Sequence, residues 1–393
     1  MKKFLSMTIA AVLALTCFAG CQKTKNINET AGNSSSTDEN VLVIGGIGPV
    51  TGPAAAYGIA VKNGEQLAVD EINAAGGING MKLKLVYEDD EHDAEKAVNA
   101  YNAIKDAGAK VLLGTVTSTP CVAVAAETTE DNMFQLTPSG SAVECITNEN
   151  AFRVCFSDPN QGIASAQYIA EHNLAKKVAV IYDSSDVYSS GIYEKFAAEA
   201  QKKGIEIVTA QAFTKDSSTD FSVQLQKVKE SGADLVFLPI YYEKAALILT
   251  QADKAGLDTK FFGCDGLDGV IDQLGDNAAL ADGVMLLTPF AADAQDEATV
   301  NFVKAYKEAF NNETPIQFAA DAYDAVYILK AALEKANVSD ASISTPDLCN
   351  KIVAVMTEIE VAGVTGTMTW DKSGEPTKEP KAMVIQDGAY KAM

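Results

Sequence analysis

Two loops rich in hydroxyl groups have the composition of an anion site. They span residues 115–119 (Thr-Val-Thr-Ser-Thr) and 137–141 (Thr-Pro-Ser-Gly-Ser), and each comes directly before a helix-like stretch. Hydroxyl side chains at such positions can cap the helix, and the backbone N–H groups that the helix leaves unbonded favour a negative charge. Simple capping, with solvent in the site, is the alternative for either loop taken alone. Two such loops in one half of the chain favour a carboxylate ligand.

The second half of the chain offers an acid and aromatic side chains at comparable positions. Asp265, within Cys264-Asp265-Gly266, could pair with an ammonium group, and an Asx-turn is the alternative reading of this residue. Tyrosines could supply apolar walls with a polar tip, although one or two of them would be ordinary packing. The candidates are Tyr57, Tyr188, Tyr241 and Tyr242. An anion site in one half and a cation site in the other would suit a zwitterion.

The elements that would position these loops occur twice in the same order. Apolar runs at residues 41–44 and 178–181 are each followed by a polar loop, a helix-like stretch, a glycine and another strand-like run. Further runs at residues 111–113 and 235–237 correspond in the same way. Strands that alternate with helices predict an α/β fold with two doubly wound parallel-sheet lobes. Because ligands sit beyond the carboxyl ends of parallel strands, we expect a cleft between the lobes.

The end of the chain does not form a third repeat. Helix-like stretches lie between residues 298 and 361, and residues 365–370 and 381–385 look like a pair of strands. These pieces are expected to complete the two lobes, which requires three passages of the chain between them and so predicts a hinge. The expected lobes comprise residues 41–160 plus about 290–362, and residues 161–289 plus about 363–393.

Composition excludes several classes of partner. The chain of 393 residues has 31 Lys and Arg against 53 Asp and Glu, which gives a net charge of −22. This charge repels nucleic acid, and no cluster of basic residues forms a local exception. Arg153 is the only arginine, so bidentate recognition of phosphate by arginine is not expected.

Signals for catalysis, cofactors and metals are weak. The two histidines, His92 and His172, are interpreted as solvated surface residues that do not follow a strand. No Ser-His-Asp or Cys-His arrangement is visible, and the glycines near residue 48 do not have the spacing of a dinucleotide-binding loop. We therefore expect a binding protein rather than an enzyme, with no cofactor and no metal.

The amino terminus predicts a targeting segment. Residues 1–20 combine two lysines with an apolar run, and small residues precede Cys21. This arrangement resembles a bacterial lipoprotein signal, in which Cys21 becomes the lipidated first residue, and an ordinary secretory signal is the alternative. Residues 21–40 are polar and predict a flexible tether. The folded part would then lie outside the cytoplasm, anchored to the outer face of the cell membrane or in the periplasm.

The sequence leaves the pairing of the remaining cysteines open. Of the seven in the chain, Cys17 lies in the predicted signal and Cys21 would carry lipid. The others are odd in number, so they cannot all pair within the chain. Cys145 and Cys155 could form a disulfide across a predicted turn, and buried thiols are the alternative.

Several short motifs together point to a known family. They are Gly48-Pro-Val-Thr-Gly-Pro with Tyr57-Gly58, residues 69–80, Phe152-Arg153, Asp158-x-x-Gln161-Gly162, Tyr241-Tyr242 and Trp370-Asp371. In these motifs the chain resembles the extracytoplasmic substrate-binding proteins of ABC transporters for branched-chain amino acids, which have the type I periplasmic-binding-protein fold. The resemblance covers nearly all of the chain beyond the tether.

The resemblance implies a small-molecule ligand, captured by closure of the lobes and delivered to ABC permease subunits in the membrane by a monomer. It implies that hydroxyls and amides hold the ligand's α-carboxylate and that Asp265, where relatives usually have Glu, meets its α-ammonium. Tyrosines 57, 188 and 242 would contact the ligand, with Tyr241 beside them. The implied carboxylate donors are Thr117, Ser139, Gly140 and Ser141, with Ser118 as a further candidate in the same loop. A transport receptor or sensor of the same fold for an amide, an aromatic acid or another small carboxylic acid is the alternative.

Overall fold

The first sheet of the protein is parallel throughout. The structure is a computed structural model that describes residues 40–393, and its first five strands form this sheet. They are β1 (Val41–Gly48), β2 (Lys82–Asp89), β3 (Val111–Gly114), β4 (Phe134–Thr137) and β5 (Ala151–Arg153). Their order is β2-β1-β3-β4-β5, which reverses direction between β1 and β3. Loops that follow the strands at such a reversal diverge and leave a crevice for a ligand.

The second sheet has seven strands, of which the first five in the chain are parallel. These are β6 (Lys177–Asp183), β7 (Glu206–Phe213), β8 (Leu235–Leu238), β9 (Lys260–Gly263) and β10 (Met285–Thr288). A separate hairpin of β11 (Val361–Gly363) and β12 (Gly366–Met368) follows, and then β13 (Lys381–Gln386) and β14 (Ala389–Ala392). The sheet order is β14-β13-β10-β9-β8-β6-β7, with β13 and β14 antiparallel at one edge.

These sheets confirm the predicted α/β fold with two parallel-sheet lobes. The prediction that residues 365–370 pair with residues 381–385 is wrong. Instead, β12 pairs with β11, while β13 pairs with β10 and β14. The physical reason is the short turn between β11 and β12, which allows a local hairpin to form before the chain moves to the second sheet.

The helices cover both faces of the sheets. They are α1 (Ala55–Ala74), α2 (Ala94–Asp106), α3 (Ser118–Glu130), α4 (Asp158–Glu171), α5 (Val187–Lys203), α6 (Ser222–Ser231), α7 (Tyr242–Lys254), α8 (Val270–Leu274), α9 (Glu297–Ala309), α10 (Gln317–Lys335) and α11 (Thr345–Met356). In α5, buried side chains recur every four residues at Tyr188, Ile192, Phe196 and Ala200, so one face of the helix packs on the second sheet. Gly204 ends this helix with a φ of 72°, which suits glycine.

The chain passes between the two sheets three times. The first passage joins β5 to α4, which packs along α5 of the second sheet. The second follows β10, after which α10 packs along α1 and α11 along β4. The third lies between β12 and β13. A buried cluster that includes Tyr57, Val116, Ile240, Leu267 and Phe318 continues from one sheet to the other.

The described residues do not test the predictions for the amino terminus. The predicted signal (residues 1–20), Cys21 and nearly all of the predicted tether (residues 21–40) lie outside the described residues. Between residues 40 and 393, every helix is too short or too polar to cross a membrane. Cys145 and Cys155 are buried free thiols, as are the other three cysteines of this part of the chain. The structure therefore favours the thiol alternative for this pair.

Candidate ligand-binding site

The loop after β4 is buried and is held by its own donors. Ser139 Oγ donates a hydrogen bond to the carbonyl oxygen of Val116 (2.7 Å), and the Gly140 N–H donates to Thr137 Oγ1 (2.7 Å). Ser141 is 1% exposed, and its hydroxyl has no hydrogen-bond partner among residues 40–393. Of the donors predicted here for a ligand, the Ser141 hydroxyl is thus available, while the Ser139 hydroxyl and the Gly140 amide bind within the protein.

The loop after β3 supports its neighbour. Ser118 begins α3, and its Oγ accepts hydrogen bonds from the backbone N–H groups of Ser141 (3.3 Å) and Ala142 (3.2 Å). The hydroxyl of Thr117 is hydrogen-bonded to His92 Nδ1 at 2.8 Å. The structure therefore brings all five predicted carboxylate donors together, but it places Ser118 as a support for the 137–141 loop and joins Thr117 to a histidine.

Arg153 fixes the same loop from behind. Its guanidinium is 1% exposed, and Nη1 donates to the carbonyl oxygens of Gly140 (3.2 Å) and Ser141 (2.5 Å). Its Nε lies 2.7 Å from the Glu375 carboxylate. Because the guanidinium is used in these contacts, a carboxylate in the site would depend on neutral donors, as the sequence predicts.

Asp265 and Tyr188 meet in the second half of the site. The Tyr188 hydroxyl donates to Asp265 Oδ1 (2.7 Å) and accepts from the Gly266 N–H (2.9 Å). A Cβ on Gly266 would lie 2.6 Å from the Tyr188 oxygen, so this close approach requires glycine. Asp265 is 2% exposed, and burial raises the pKa of its carboxyl to about 7. A cation beside this carboxylate would favour its ionised form.

The other predicted tyrosines surround this pair. Tyr57, from α1, donates to the Gly266 carbonyl oxygen (2.5 Å) and accepts from the Tyr242 N–H (3.1 Å). The Tyr241 ring stacks on that of Tyr188 with their centroids 4.7 Å apart. The Tyr242 hydroxyl accepts from the Ala56 N–H (3.2 Å), so this tyrosine joins α7 to α1. All four tyrosines therefore lie together at the junction of the two sheets.

His92 belongs to the site, and its interpretation as a solvated residue is wrong. It lies in the loop directly after β2, its ring is T-shaped to Tyr241 at 5.5 Å, and Nε2 is 3.8 Å from Asp186 Oδ2. Burial, together with the Lys215 charge, lowers the pKa of His92 to about 4, so the imidazole is neutral at pH 7. The acids beside it in sequence suggested solvent, whereas its tertiary neighbours leave the side chain only 18% exposed. Its position after a strand was the signal that could have identified it.

Two further residues of the site were not predicted as ligand contacts. Both oxygens of the Asp158 carboxylate and the Nε2 of Gln161 are buried and lack hydrogen-bond partners within the described part of the chain. Gln161 Oε1 accepts from the Asp265 N–H at 3.2 Å. The available signal was the Asp158-x-x-Gln161-Gly162 motif at the start of α4, which follows the first passage between the sheets.

A cavity of about 200 Å³ lies next to the stacked tyrosines. It includes Pro53, Ala54, His92 and Thr119 from the first half of the chain, and Asp186, Tyr188 and Tyr241 from the second. In residues 40–393, no group of three or more His, Cys, Asp or Glu side chains is placed to hold a metal ion. What the arrangement offers is a buried polar region between two sheets, bordered by aromatic rings.

The matched family agrees with this arrangement. Residues 41–388 match the family described as periplasmic binding protein. The chain belongs to this family. Among periplasmic binding proteins, it is 32% identical over 337 residues to a Leu/Ile/Val-binding protein homolog of Brucella melitensis, which covers 85% of this chain and 88% of the relative. The predicted family, the substrate-binding proteins of ABC transporters for branched-chain amino acids, is confirmed.

Solved periplasmic binding proteins confirm the predicted type I fold. A branched-chain amino acid transporter substrate-binding protein from Streptococcus pneumoniae, in complex with isoleucine, is 29% identical with a TM-score of 0.81 and covers 90% of this chain and 98% of that one. A solute-binding protein from R. palustris, in complex with benzoate, has a TM-score of 0.80, 22% identity, and covers 90% of this chain and 95% of that one. The second likeness concerns the fold alone. This chain is a solute-binding protein of the branched-chain amino acid transporter type.

Proposed function

We propose that this protein is an extracytoplasmic, lipid-anchored receptor that captures a small zwitterionic amino acid of the branched-chain type and delivers it to an ABC permease. The observation that carries the proposal is the link between the 137–141 loop and Asp265 through the first turn of α4. The Asp158 N–H donates to the Ser141 carbonyl oxygen (2.9 Å), and Gln161 Oε1 accepts from the Asp265 N–H (3.2 Å). Hydroxyl donors and a buried acid thus border one region.

The chemistry of that region supports a zwitterion. The Ser141 hydroxyl and the amino-terminal end of α3, which begins at Ser118, can receive a carboxylate. Asp265 can receive an ammonium, and the rings of Tyr188 and Tyr241 offer an apolar surface to a short aliphatic side chain. Neutral donors for the carboxylate and an acid for the ammonium match a ligand that carries one negative and one positive charge.

Contacts between the sheets support capture by closure. The Tyr57 hydroxyl on α1 reaches the Gly266 carbonyl oxygen, and the Ala56 N–H reaches the Tyr242 hydroxyl. We propose lobes of residues 41–160 plus about 290–362 and residues 161–289 plus about 363–393, moving as a monomer about the three passages. A ligand that contacts both lobes only when they are closed shifts the equilibrium towards the closed form.

An aromatic or other amine-free carboxylic acid is the competing ligand class. The R. palustris protein has benzoate in its complex, but its 22% identity to this chain carries the fold alone. An amine-free acid would leave the Asp265 carboxylate buried without a cationic partner, which is unfavourable. The site therefore favours an amino acid.

The ligand is tested by calorimetry with the folded part of the chain. We expect leucine, isoleucine or valine to bind more tightly than benzoate and to raise the melting temperature. Benzoate binding more tightly than every amino acid tried would overturn the amino-acid assignment. Anchoring is tested separately by metabolic labelling of the full chain with a tagged fatty acid: label should enter the wild type and be lost in Cys21→Ser. Label retained in that variant would refute lipidation at Cys21.

A further inference from the structure

The carboxylate of Asp158 is buried and has no partner in the described part of the chain. The residue is 2% exposed, and neither carboxylate oxygen has a hydrogen-bond partner among residues 40–393. Buried carboxylates are normally paired or multiply hydrogen-bonded, because removing the charge from water is costly. In its ionised form this group therefore needs a partner other than residues 40–393.

Packing holds Asp158 at the proposed site. Its backbone N–H donates to the Ser141 carbonyl oxygen at 2.9 Å, so the residue is attached to the loop after β4. On the other side, Gly191 of α5 faces the carboxylate, and a Cβ there would lie 3.4 Å from Oδ2. The carboxylate thus lies between a loop of the first sheet and a helix of the second.

Three neighbouring groups lack partners at the same place. Besides the Asp158 carboxylate, these are the Ser141 hydroxyl and Nε2 of Gln161, all buried within residues 40–393. Gln161 lies one turn after Asp158 on α4, and its Oε1 accepts from the Asp265 N–H. Burial raises the pKa of the Asp158 carboxyl well above its ordinary value; the adjacent Ser141 hydroxyl lowers this pKa, and the Asp265 charge raises it. The two acids therefore face the same buried region.

No basic group of the described chain completes this region. Arg153 is the cation that acts on Asp158, and it lowers the pKa of that carboxyl. Its guanidinium, however, donates to the carbonyl oxygens of Gly140 and Ser141 and lies against Glu375. It makes no hydrogen bond to the Asp158 carboxylate.

We propose that Asp158 is a second acid of the ligand site, and that Asp158 and Asp265 together receive the ammonium group of the ligand. This inference rests on the proposed function and narrows it. A primary ammonium has three N–H donors, which suffice for both carboxylates and one further acceptor. The ligand class is then the amino acids with a primary amine, and acids of the same skeleton without the amine are rejected.

The test compares each branched-chain amino acid with the acid of the same skeleton that lacks the amine. Calorimetry is done on wild type, Asp158→Asn and Asp158→Ser, with melting curves to confirm folding. We expect both variants to bind the amino acids about 10- to 100-fold more weakly, because each removes a charged acceptor. The amine-free acids should bind the variants at least as tightly as they bind the wild type, which a merely structural role would not produce.

The matched control is Asp324→Asn, the same change at another buried aspartate. Asp324 is 1% exposed, but it accepts from the N–H groups of Val364 and Thr365 (2.8 and 2.9 Å), so it is satisfied within the chain. This variant should be less stable and keep the wild-type preference for amino acids. If the wild type prefers amino acids and the Asp158 variants keep that preference, this inference alone is overturned. If the wild type itself binds no amino acid, or prefers the amine-free acids, the proposed function is overturned with it.

Discussion

His92 and Asp186 come together from opposite halves of the chain, with His92 Nε2 lying 3.8 Å from Asp186 Oδ2. His92 follows a strand of the first sheet, and Asp186 caps the first turn of α5 on the second. The hydroxyl of Thr119 also donates to Asp186, at 3.4 Å. Because the histidine is neutral at pH 7, this is a polar contact between the sheets rather than an ion pair. It borders the cavity beside the tyrosines.

Loss of this contact should favour the open form. We expect His92→Ala to weaken amino-acid binding about fivefold, mainly through faster dissociation, because the contact exists only when the two sheets approach each other. Stopped-flow fluorescence would measure both rates. The control is His172→Ala, since His172 is exposed and stacks on Tyr168 at the end of α4. Equal dissociation rates in wild type and His92→Ala would contradict the prediction.

Asp265 should make the affinity depend on whether the ligand carries an ammonium group. We expect Asp265→Ala to weaken binding of zwitterionic amino acids by about 100-fold, because it removes the charged acceptor of the ammonium. Binding of uncharged amides of similar shape should fall far less. Calorimetry with both classes makes the comparison, and Asp272→Ala, at an exposed residue of α8, serves as control. An equal loss for zwitterions and amides would refute the ammonium assignment.

Amino-acid binding should weaken in acid. Burial raises the pKa of Asp265 to about 7 in the unliganded protein; Tyr188 and Gln161 lower this pKa, Asp321 raises it, and Asp158 faces the same region. An ammonium ligand favours the ionised carboxylate, so its binding lowers the pKa and releases a proton. The titration of Asp265 by itself should therefore leave the affinity constant above about pH 8 and lower it about tenfold per pH unit below pH 7. Calorimetry in buffers of different ionisation enthalpy measures the released proton, and an affinity unchanged from pH 8 to pH 5.5 would contradict the assignment.

The buried arginine should contribute to stability through its geometry as well as its charge. We expect Arg153→Lys to lower the free energy of unfolding by about 2–4 kcal/mol, because a lysine cannot serve the Gly140 and Ser141 carbonyl oxygens and Glu375 together. Urea denaturation measures this change. As a control, Lys96→Gln removes an exposed lysine that pairs with Glu91 at the surface, and it should leave the midpoint unchanged. Equal midpoints for wild type and Arg153→Lys would show that stability does not require a guanidinium that serves several acceptors together.

The sheets and the strand-end loops could be predicted because they depend on local patterns. Apolar runs bounded by glycines became β1, β6, β3 and β8, and the loops after them surround the site. Asp265 and Tyr188 were correctly expected near each other, since both follow strands of one parallel sheet. Such strands end at the same edge whatever the details of side-chain packing.

The direction in which each polar group points could not be predicted. Ser139 donates to the Val116 carbonyl oxygen, which belongs to another loop, so its sequence neighbours contain no sign of this bond. His92 lies among acids in sequence and is partly covered by Tyr241, far away in the chain. Asp158 occupies an ordinary helix start, and only the tertiary packing shows that its carboxylate is buried without a hydrogen-bond partner among residues 40–393. Tertiary neighbours decide these outcomes, and a single sequence does not reveal them.

The single arginine of the chain offers a spectroscopic probe of the proposed site. Arg153 is the only arginine of the chain, and it contacts the backbone of Gly140 and Ser141 directly behind the proposed site. Arginine labelled with nitrogen-15 would therefore give one guanidinium spin system in the entire molecule, without further assignment. Any solute that displaces the loop would shift that one resonance, and solutes that bind elsewhere would leave it in place.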